Sequence, residues 1–138
     1  MMALTVGLAA SATAVEIGQI KVSKGQVSIE RHGQVLPGNV GTRLEPADIL
    51  KTGPDGSVGI TMTDNSLFSA GPNSILSLNR YDFDATTNQG QFDAQLKKGS
   101  LAVISGRIAK QKPEAMTVRT PSAILGVRGT EFVVSAND

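Results

Sequence analysis

The feature that most constrains the fold of this chain is the alternation of apolar and polar residues in short segments from Val15 onward. A period of two residues is typical of a strand that packs one face on a core and turns the other to solvent. In the clearest example, Val58, Ile60 and Met62 share one face. Similar segments are Ile20–Val22, Val27–Ile29, Leu76–Leu78, Phe92–Leu96, Leu101–Val103, Met116–Val118 and Phe132–Val134. The pattern predicts an all-β fold.

Turn-forming residues separate these segments, and the 15 glycines suit many tight turns. Helical periodicity is not sustained over three turns, and its best candidate, Ile108–Met116, is interrupted by Pro113. Short strands spaced about eight to twelve residues apart are typical of rolls, solenoids and sandwiches. The sequence therefore predicts one domain over residues 15–138, with many short strands in a twisted β-solenoid or β-roll. A β-sandwich is the alternative.

The first 14 residues differ in composition from the rest of the chain. They carry no charge, are rich in Ala and Leu, and end in Ala12-Thr13-Ala14. A short apolar run before a small-x-small junction is typical of a secretory signal, although the usual basic residues do not precede it. The alternative is an ordinary N-terminal strand or helix. The signal predicts a periplasmic or secreted protein. Because about 20 apolar residues are needed to cross a bilayer, we do not expect this short run to span the membrane.

Basic residues are concentrated in the C-terminal third, although the net charge is only +1. The segment Lys97–Arg128 contains a single acid, Glu114. Its basic residues are Lys97, Lys98, Arg107, Lys110, Lys112, Arg119 and Arg128. The segment is either a solvated face or a surface for an anionic polymer. Nucleic acid is not expected as that polymer, because the segment has no aromatic residues on which bases would stack.

The sequence offers no set of residues for catalysis or for a bound metal. It has one histidine, His32, in a glycine-flanked turn, and no cysteine, so neither a Ser-His-Asp triad nor a zinc site is expected. The acidic segment Tyr81–Asp93 contains oxygen ligands of the kind that Ca²⁺ takes, but not with EF-hand spacing. These residues are Asp82, Asp84, Asn88 and Asp93. We predict a solvated hairpin loop, with a calcium site as the alternative, in a non-enzymatic protein without a cofactor.

The tripeptide Asp64-Asn65-Ser66 has the composition of a turn in which an Asp side chain accepts backbone N–H groups. Asn65 suits the positive φ angle that such a turn requires. The rival role for Asp64 is that of a catalytic acid or base. That role needs a partner group, and the sequence names none.

A second tight turn is predicted at Gly126–Thr130, near the C-terminal end. Arg128 would donate there to backbone carbonyls, or to a carboxylate such as Glu131, or would bind an anionic partner. The flanking glycines favour a structural role, because they suggest a position fixed by backbone geometry. Thr120-Pro121 predicts a bend ahead of a strand, since Pro holds the preceding residue extended.

Four motifs, in this order, resemble the FecR domain family. The run Thr52–Leu67 is similar to the family's T-x-x-x-G-S, alternating strand and D-G-S, with Asn65 where Gly is usual. Asn73–Leu78 resembles the strand that follows, and Lys98–Leu101 resembles its K-G-x-L element. Val118–Val134 is similar to the closing T-P-x-A-x-x-G-V-R-G-T-x-F-x-V. The resemblance extends over residues 15–135.

The resemblance implies an extracytoplasmic all-β domain. The founding regulators of the family also have a cytoplasmic anti-sigma region, a transmembrane helix and a further C-terminal domain, none of which this sequence matches. We therefore expect a stand-alone, secreted binding and signalling module that engages an envelope protein or sensor. The motif residues expected to form turns or contact a partner are Asp64, Ser66, Thr120, Pro121, Arg128, Gly129, Thr130 and Phe132.

Two further kinds of partner stay open at this point. A structural envelope protein would bind polysaccharide or peptidoglycan through the basic segment Lys97–Arg128. A homodimer is the other, because exposed strand edges invite pairing with a second chain.

Overall fold

The computed structural model describes residues 15–126 and 131–136. Within them, twelve strands form one continuous sheet, joined by one short helix and one 3-10 turn. The strands are β1 (Gly18–Lys24), β2 (Val27–Arg31), β3 (Gln34–Pro37), β4 (Arg43–Leu44), β5 (Ile49–Thr52), β6 (Ser57–Met62), β7 (Leu67–Ala70), β8 (Ile75–Asp84), β9 (Gln89–Ile104), β10 (Met116–Thr120), β11 (Ala123–Gly126) and β12 (Glu131–Ala136). The helix α1 spans Arg107–Gln111, and the 3-10 turn spans Pro113–Ala115.

Four antiparallel segments make up the middle of the sheet, and each bends once. They are β1 with β2, β5 with β6, β7 with β8, and the single 16-residue strand β9. β1 pairs with β6 and β2 with β5, while β6 pairs with β7, β5 with β8, and both β7 and β8 with β9. Because the bends lie side by side, the sheet folds over into a roll. Its front half contains β1, β6, β7 and the end of β9, and its back half contains β2, β5, β8 and the start of β9.

Shorter strands extend both halves at their edges. β4 pairs with β1 in the front half, and β3 pairs with β2 in the back half. On the far side, β12 pairs with the end of β9, whereas β10 pairs with its start and β11 with β10. The pairing of β9 with β10 is parallel, and parallel neighbours need a crossover connection. The helix α1 and the 3-10 turn supply that connection across the open end of the roll.

The core lies between the two halves and is built mostly from aliphatic side chains, such as the fully buried Ile20 and Leu78. Three aromatic rings lie within it. Phe68 and Phe92 stack with their centroids 5.0 Å apart, and Tyr81 packs edge-on against Phe92 at 4.9 Å. Both arrangements are favourable for ring quadrupoles. The rings come from β7, β8 and β9, so they join the two halves of the sheet.

Hydroxyl side chains fasten the bends to one another. Thr52 Oγ1 accepts the backbone N–H of Ser74 at 2.9 Å and donates to the Gly71 carbonyl at 2.7 Å. Ser74 Oγ in turn accepts the backbone N–H of Ser100 at 3.1 Å. Backbone groups that leave a ladder at a bend need other partners, and these hydroxyls provide them.

The first and second bends are joined through the backbone, where the Gly53 N–H donates to the Gln26 carbonyl at 2.9 Å. At the fourth bend, Gly99 adopts a φ angle of +98° and lies directly against Ser74. A Cβ at Gly99 would approach the Ser74 Cα to 2.5 Å. The bend in β9 therefore requires glycine both for its backbone angle and for its close packing.

The all-β prediction is confirmed, and the folded sheet has the form of a roll. The segment with the best helical pattern, Ile108–Met116, overlaps α1 and the 3-10 turn, which begins at Pro113. The acidic segment Tyr81–Asp93 forms the β8–β9 hairpin, with Asn88 at a φ angle of +61° in its turn. The predicted secretory signal at residues 1–14 lies outside the described residues.

We expect Gly99→Ala to lower the free energy of unfolding by roughly 2–5 kcal/mol, from backbone strain plus overpacking. Gly33→Ala is the matched control, because Gly33 also has a positive φ angle (+79°) but has open space around its Cβ position. The control should cost only the strain, about 1–2 kcal/mol. Equal losses in urea denaturation would show that the contact with Ser74 is not tight.

Candidate functional site

The turn at Asp64-Asn65-Ser66 closes the open end of the roll between β6 and β7. The fully buried Asp64 carboxylate accepts the Ser66 N–H at 3.0 Å, the Ser66 hydroxyl at 2.9 Å and the Ile108 N–H at 3.1 Å. The Arg107 N–H donates to the Asp64 carbonyl at 2.8 Å. Asn65 has the positive φ angle that its sequence predicts, +72°. Asp64 thus ties α1 onto the end of the roll, and its oxygens are occupied by the chain's own donors.

Tyr81 completes this buried network from β8. Its hydroxyl accepts the Asp64 N–H at 2.8 Å and lies 2.8 Å from Thr63 Oγ1. Burial raises the pKa of the Tyr81 phenol well above its ordinary value of 10.0. The geometry is that of a structural hydroxyl that links the back half of the sheet to the turn of the front half.

The predicted site residues are not gathered in one place. Asp64 and Ser66 are buried at the open end of the roll. Thr120 ends β10, and the exposed Pro121 begins the turn into β11. Phe132 is half-buried and packs against the core from β12. The remaining members of the predicted set lie outside the described residues: Arg128, Gly129 and Thr130.

Sequence reasoning missed the hydroxyls that hold the bends. Thr52 and Ser74 both lie in segments that resemble family motifs, and each is adjacent to a glycine-containing turn. The sequence pattern that could have indicated them is a Ser or Thr where an alternating segment meets a turn that contains Gly and Pro. The partners of these hydroxyls are 19 to 26 residues away in sequence, so no local pattern shows which backbone groups they bind.

A second missed feature is a clamp at the edge of the back half. Arg31 donates to both oxygens of the fully buried Asp48 carboxylate, at 2.8 Å and 2.7 Å, and lies 3.2 Å from Glu45. The hydrogen bonds to Asp48 raise the pKa of Arg31 above its ordinary value. The clamp holds the end of β2 to the segment that leads into β5. Its partners are 17 residues apart, so no local pattern reveals it.

The basic residues of Lys97–Arg128 fall on separate parts of the surface. Lys97 and Lys98 lie near the bend of β9, whereas Lys112 lies beside Gln91 at the open end of the roll. Six residues of strand separate these places, about 20 Å at the usual rise. Arg119 is paired with Asp93 on the back half, at 3.0 Å. The structure does not assemble the segment into one cationic surface within the described residues.

The acidic side chains of the β8–β9 hairpin also have other partners. Asp82 accepts from Arg80 at 3.0 Å, and Asp84 accepts the backbone N–H of Thr86 at 2.9 Å. In the described part of the chain, no group of three His, Asp or Glu side chains is placed to hold a metal ion. No helix there is long and apolar enough to cross a bilayer.

The outer face of the front half is the most distinctive surface of the molecule. Its central row crosses five strands, with directly paired neighbours, and contains no charged side chain. The row consists of Val22, Gly59, Ser69, Ala102 and Val133. A second row contains the exposed pair Leu67 and Ile104 beside Thr61. We call the outer positions of β6, β7 and the end of β9, with Val22 and Val133, the front face.

The outer face of the back half has the opposite character. Its ion pairs join Lys51 to Glu30, Arg80 to Asp82, and Arg119 to Asp93. Charged and amide side chains cover the paired strands between them. A face covered with charged and amide side chains is expected to stay exposed to solvent. The front face, which is uncharged at its centre, is the candidate interaction site, since exposed apolar patches rimmed by polar residues mark binding surfaces.

We expect Asp64→Ala to lower the free energy of unfolding by about 3 kcal/mol, because two buried N–H groups lose their acceptor. Asp84→Ala is the matched control, since Asp84 makes a similar turn at an exposed position and should cost less than about 1 kcal/mol. Urea denaturation measures both losses. Equal small losses would mean that Asp64 does not anchor α1.

The free energy of unfolding should fall as the pH rises above 10. The unfolded chain releases the Tyr81 proton near the ordinary pKa of 10.0, while the folded chain retains it to higher pH. The stability contribution of the neutral phenol is therefore complete below pH 10 and is lost progressively above it. Tyr81 is the only tyrosine, so tyrosinate absorbance reports it directly.

A Tyr81→Phe variant is the control for this titration, because its stability should fall less steeply with pH. In denaturant the wild-type phenol should titrate near 10. Titration near 10 in the folded protein, with the fold intact, would contradict the buried position of Tyr81.

Comparison with known proteins relates this architecture to one family. A model of the FecR protein family matches residues 48–138, about two thirds of the chain. The match begins just before β5 and includes the Asp64 turn, the later bends of the sheet and β12. No curated protein and no solved structure matches the chain significantly. FecR proteins are associated with the bacterial envelope and act in signalling. The chain belongs to the FecR family.

Proposed function

We propose that this protein is a non-catalytic binding module of envelope signal transduction, which works outside the cytoplasm and engages a partner protein through its front face. The observation that carries the proposal is the uncharged centre of that face. On β6, β7 and the end of β9, every outer position is small, hydroxylated or aliphatic. A partner can cover these strands without removing a charge from water, and removing an unpaired charge from water is expensive.

The two margins of the front face carry exposed residues of opposite charge. Lys24 lies at the β1 side and Glu131 at the β12 side, both exposed and of opposite charge. An uncharged centre with a charged rim is the ordinary anatomy of a protein–protein interface. The rim charges would orient a partner of complementary polarity, with most of the binding energy coming from the centre.

The positions of the two residues that were considered for catalysis, Asp64 and His32, support a non-enzymatic role. The Asp64 carboxylate is buried and accepts hydrogen bonds from the chain itself. His32 lies in the exposed β2–β3 turn, with a φ angle of +52°. Asp64 is in the front-half turn and His32 is in the back half, so they do not form a general acid–base pair.

Binding of an anionic polymer by Lys97–Arg128 has less support. The basic side chains are spread over the bend, the open end and the back half, and Arg119 is already paired with Asp93. Polymer binding would also be strongly reduced by salt, whereas binding at an uncharged face would not.

The proposal is tested by placing a photo-crosslinking amino acid at Ser69 of the full chain, expressed in a bacterium that contains the natural envelope partners. We expect one discrete adduct with an envelope protein. Adding Ala102→Lys should reduce that adduct at least about 10-fold, because an unpaired charge would be buried beside the probe.

Gln91→Lys is the matched control, since Gln91 is an exposed outer position of the same strand, β9, but on the back half. It should leave the adduct unchanged. Thermal melts of both variants check that the fold is intact. An adduct reduced equally by both substitutions, or one reduced only by salt, would overturn the assignment of the front face.

A further inference from the structure

The edges of the folded sheet are not protected equally. β3 ends in Pro37, β4 has two residues, and the four-residue β11 follows Pro121. Short length and proline are the usual ways in which sheet edges avoid pairing with other chains. β12 is a six-residue edge strand with no Lys, Arg or Pro, and among the described residues it pairs with β9 alone.

The side chains of β12 add to this lack of protection. Exposed Glu131, Val133 and Ser135 alternate with the more buried Phe132 and Val134. Val133 is 74% exposed, the largest fraction among the exposed large hydrophobic residues of the described chain. A β-branched side chain at the middle of a free edge favours pairing with another strand.

We propose that β12 pairs with β12 of a second copy, antiparallel about a two-fold axis at Val133. Directly opposite residues in an antiparallel pair lie on the same face of the sheet. With Val133 opposite Val133 of the second copy, Phe132 faces Val134 on the inner side, and Glu131 faces Ser135 on the outer side. From residue 131 to residue 135, every outer position then meets an outer position, and every inner position meets an inner one.

The charge of Glu131 favours the antiparallel orientation over the parallel one. β12 carries one charged residue, Glu131, at its first position. In the antiparallel pair the two Glu131 residues are four residues apart along the strand, about 13 Å. In a parallel pair they would lie side by side, and like charges directly opposite are destabilising.

The pairing is isologous, so it closes at two copies and does not form fibres. It also joins the two front halves into one sheet, with the two Val133 side chains at the centre of a doubled front face. Because a single strand pair buries little area, the dimer should dissociate on dilution. Val133 is at the margin of the front face, whereas the centre of the proposed docking site lies on β6, β7 and the end of β9. The dimer does not depend on the docking proposal.

The first test is sedimentation of the full chain over a range of concentrations. We expect a reversible monomer–dimer equilibrium, with a dissociation constant raised at least about 10-fold by Val133→Lys, because Lys on an edge strand opposes pairing. Val35→Lys is the matched control. Val35 is 68% exposed on the edge strand β3 of the other half, and its substitution should leave the equilibrium unchanged.

The second test fixes the register. The chain has no cysteine, so Val133→Cys introduces a single thiol. Directly opposite residues of an antiparallel pair have Cα atoms about 4.5–5.5 Å apart, within the range that a disulfide spans, so mild oxidation should give a covalent dimer. Glu131→Cys and Val35→Cys should not give one. A 131–135 cross-link should form when Glu131→Cys and Ser135→Cys chains are mixed.

Three outcomes would overturn the proposal. The first is a chain that stays monomeric at every concentration. Binding of a different envelope protein at β12 by such a monomer would count as the same outcome. The second is a dimer insensitive to Val133→Lys. The third is a dimer that cross-links through Glu131→Cys but not through Val133→Cys, which would require another orientation. Unchanged melting temperatures for the variants ensure that each result reports pairing and not unfolding.

Discussion

The roll depends on the hydrogen bonds that Thr52 and Ser74 make at the bends of the sheet. Without them, bending would leave backbone N–H groups without partners at the point where the two halves must approach. With them, four antiparallel segments turn together, and each contributes buried residues to both sides of one core. This allows a chain with few aromatic residues to enclose a continuous aliphatic core.

The second condition is that the open end of the roll be closed. The Asp64 turn does this by accepting N–H groups from its own turn and from the start of α1, and Tyr81 reaches it from the back half. The helix is five residues long and would not be stable in isolation. It exists because a buried carboxylate and the neighbouring core hold it in place.

Local features of the fold were accessible from the sequence. The strand at Val58–Met62 follows from strict alternation, and the turn at Asp64 follows from its residue types. The sequence does not predict that β9 continues through Gly99, because a glycine within an alternating segment is equally consistent with a turn that ends the strand and with a bend inside it. The Arg31–Asp48 clamp and the parallel pairing of β10 with β9 depend on contacts distant in sequence, which single-chain patterns do not encode.

The bend and turn residues of the segments that resemble the family serve a different purpose from the outer positions of the candidate binding surface. Thr52, Asp64, Ser74 and Gly99 lie at bends or at the closed end, where they determine the fold. The front face is formed by the residues between them. The family signature therefore identifies the scaffold, and information about a partner has to be sought at outer positions such as Ser69 and Ala102.

The single strand β9 has a consequence for how this scaffold tolerates change in length. It runs through the back half, turns at Gly99, and continues into the front half without interruption. Inserting one residue before Gly99 would move every later side chain by one position relative to β7 and β12. Phe68 and Val134 would then lie opposite outer residues of β9, such as Ala102 and Ser100, in place of their inner partners Val103 and Leu101, because a one-residue shift exchanges the two faces of a strand. Length variation in relatives should thus be confined to the hairpin turns, while β9 keeps a constant number of residues on each side of its glycine.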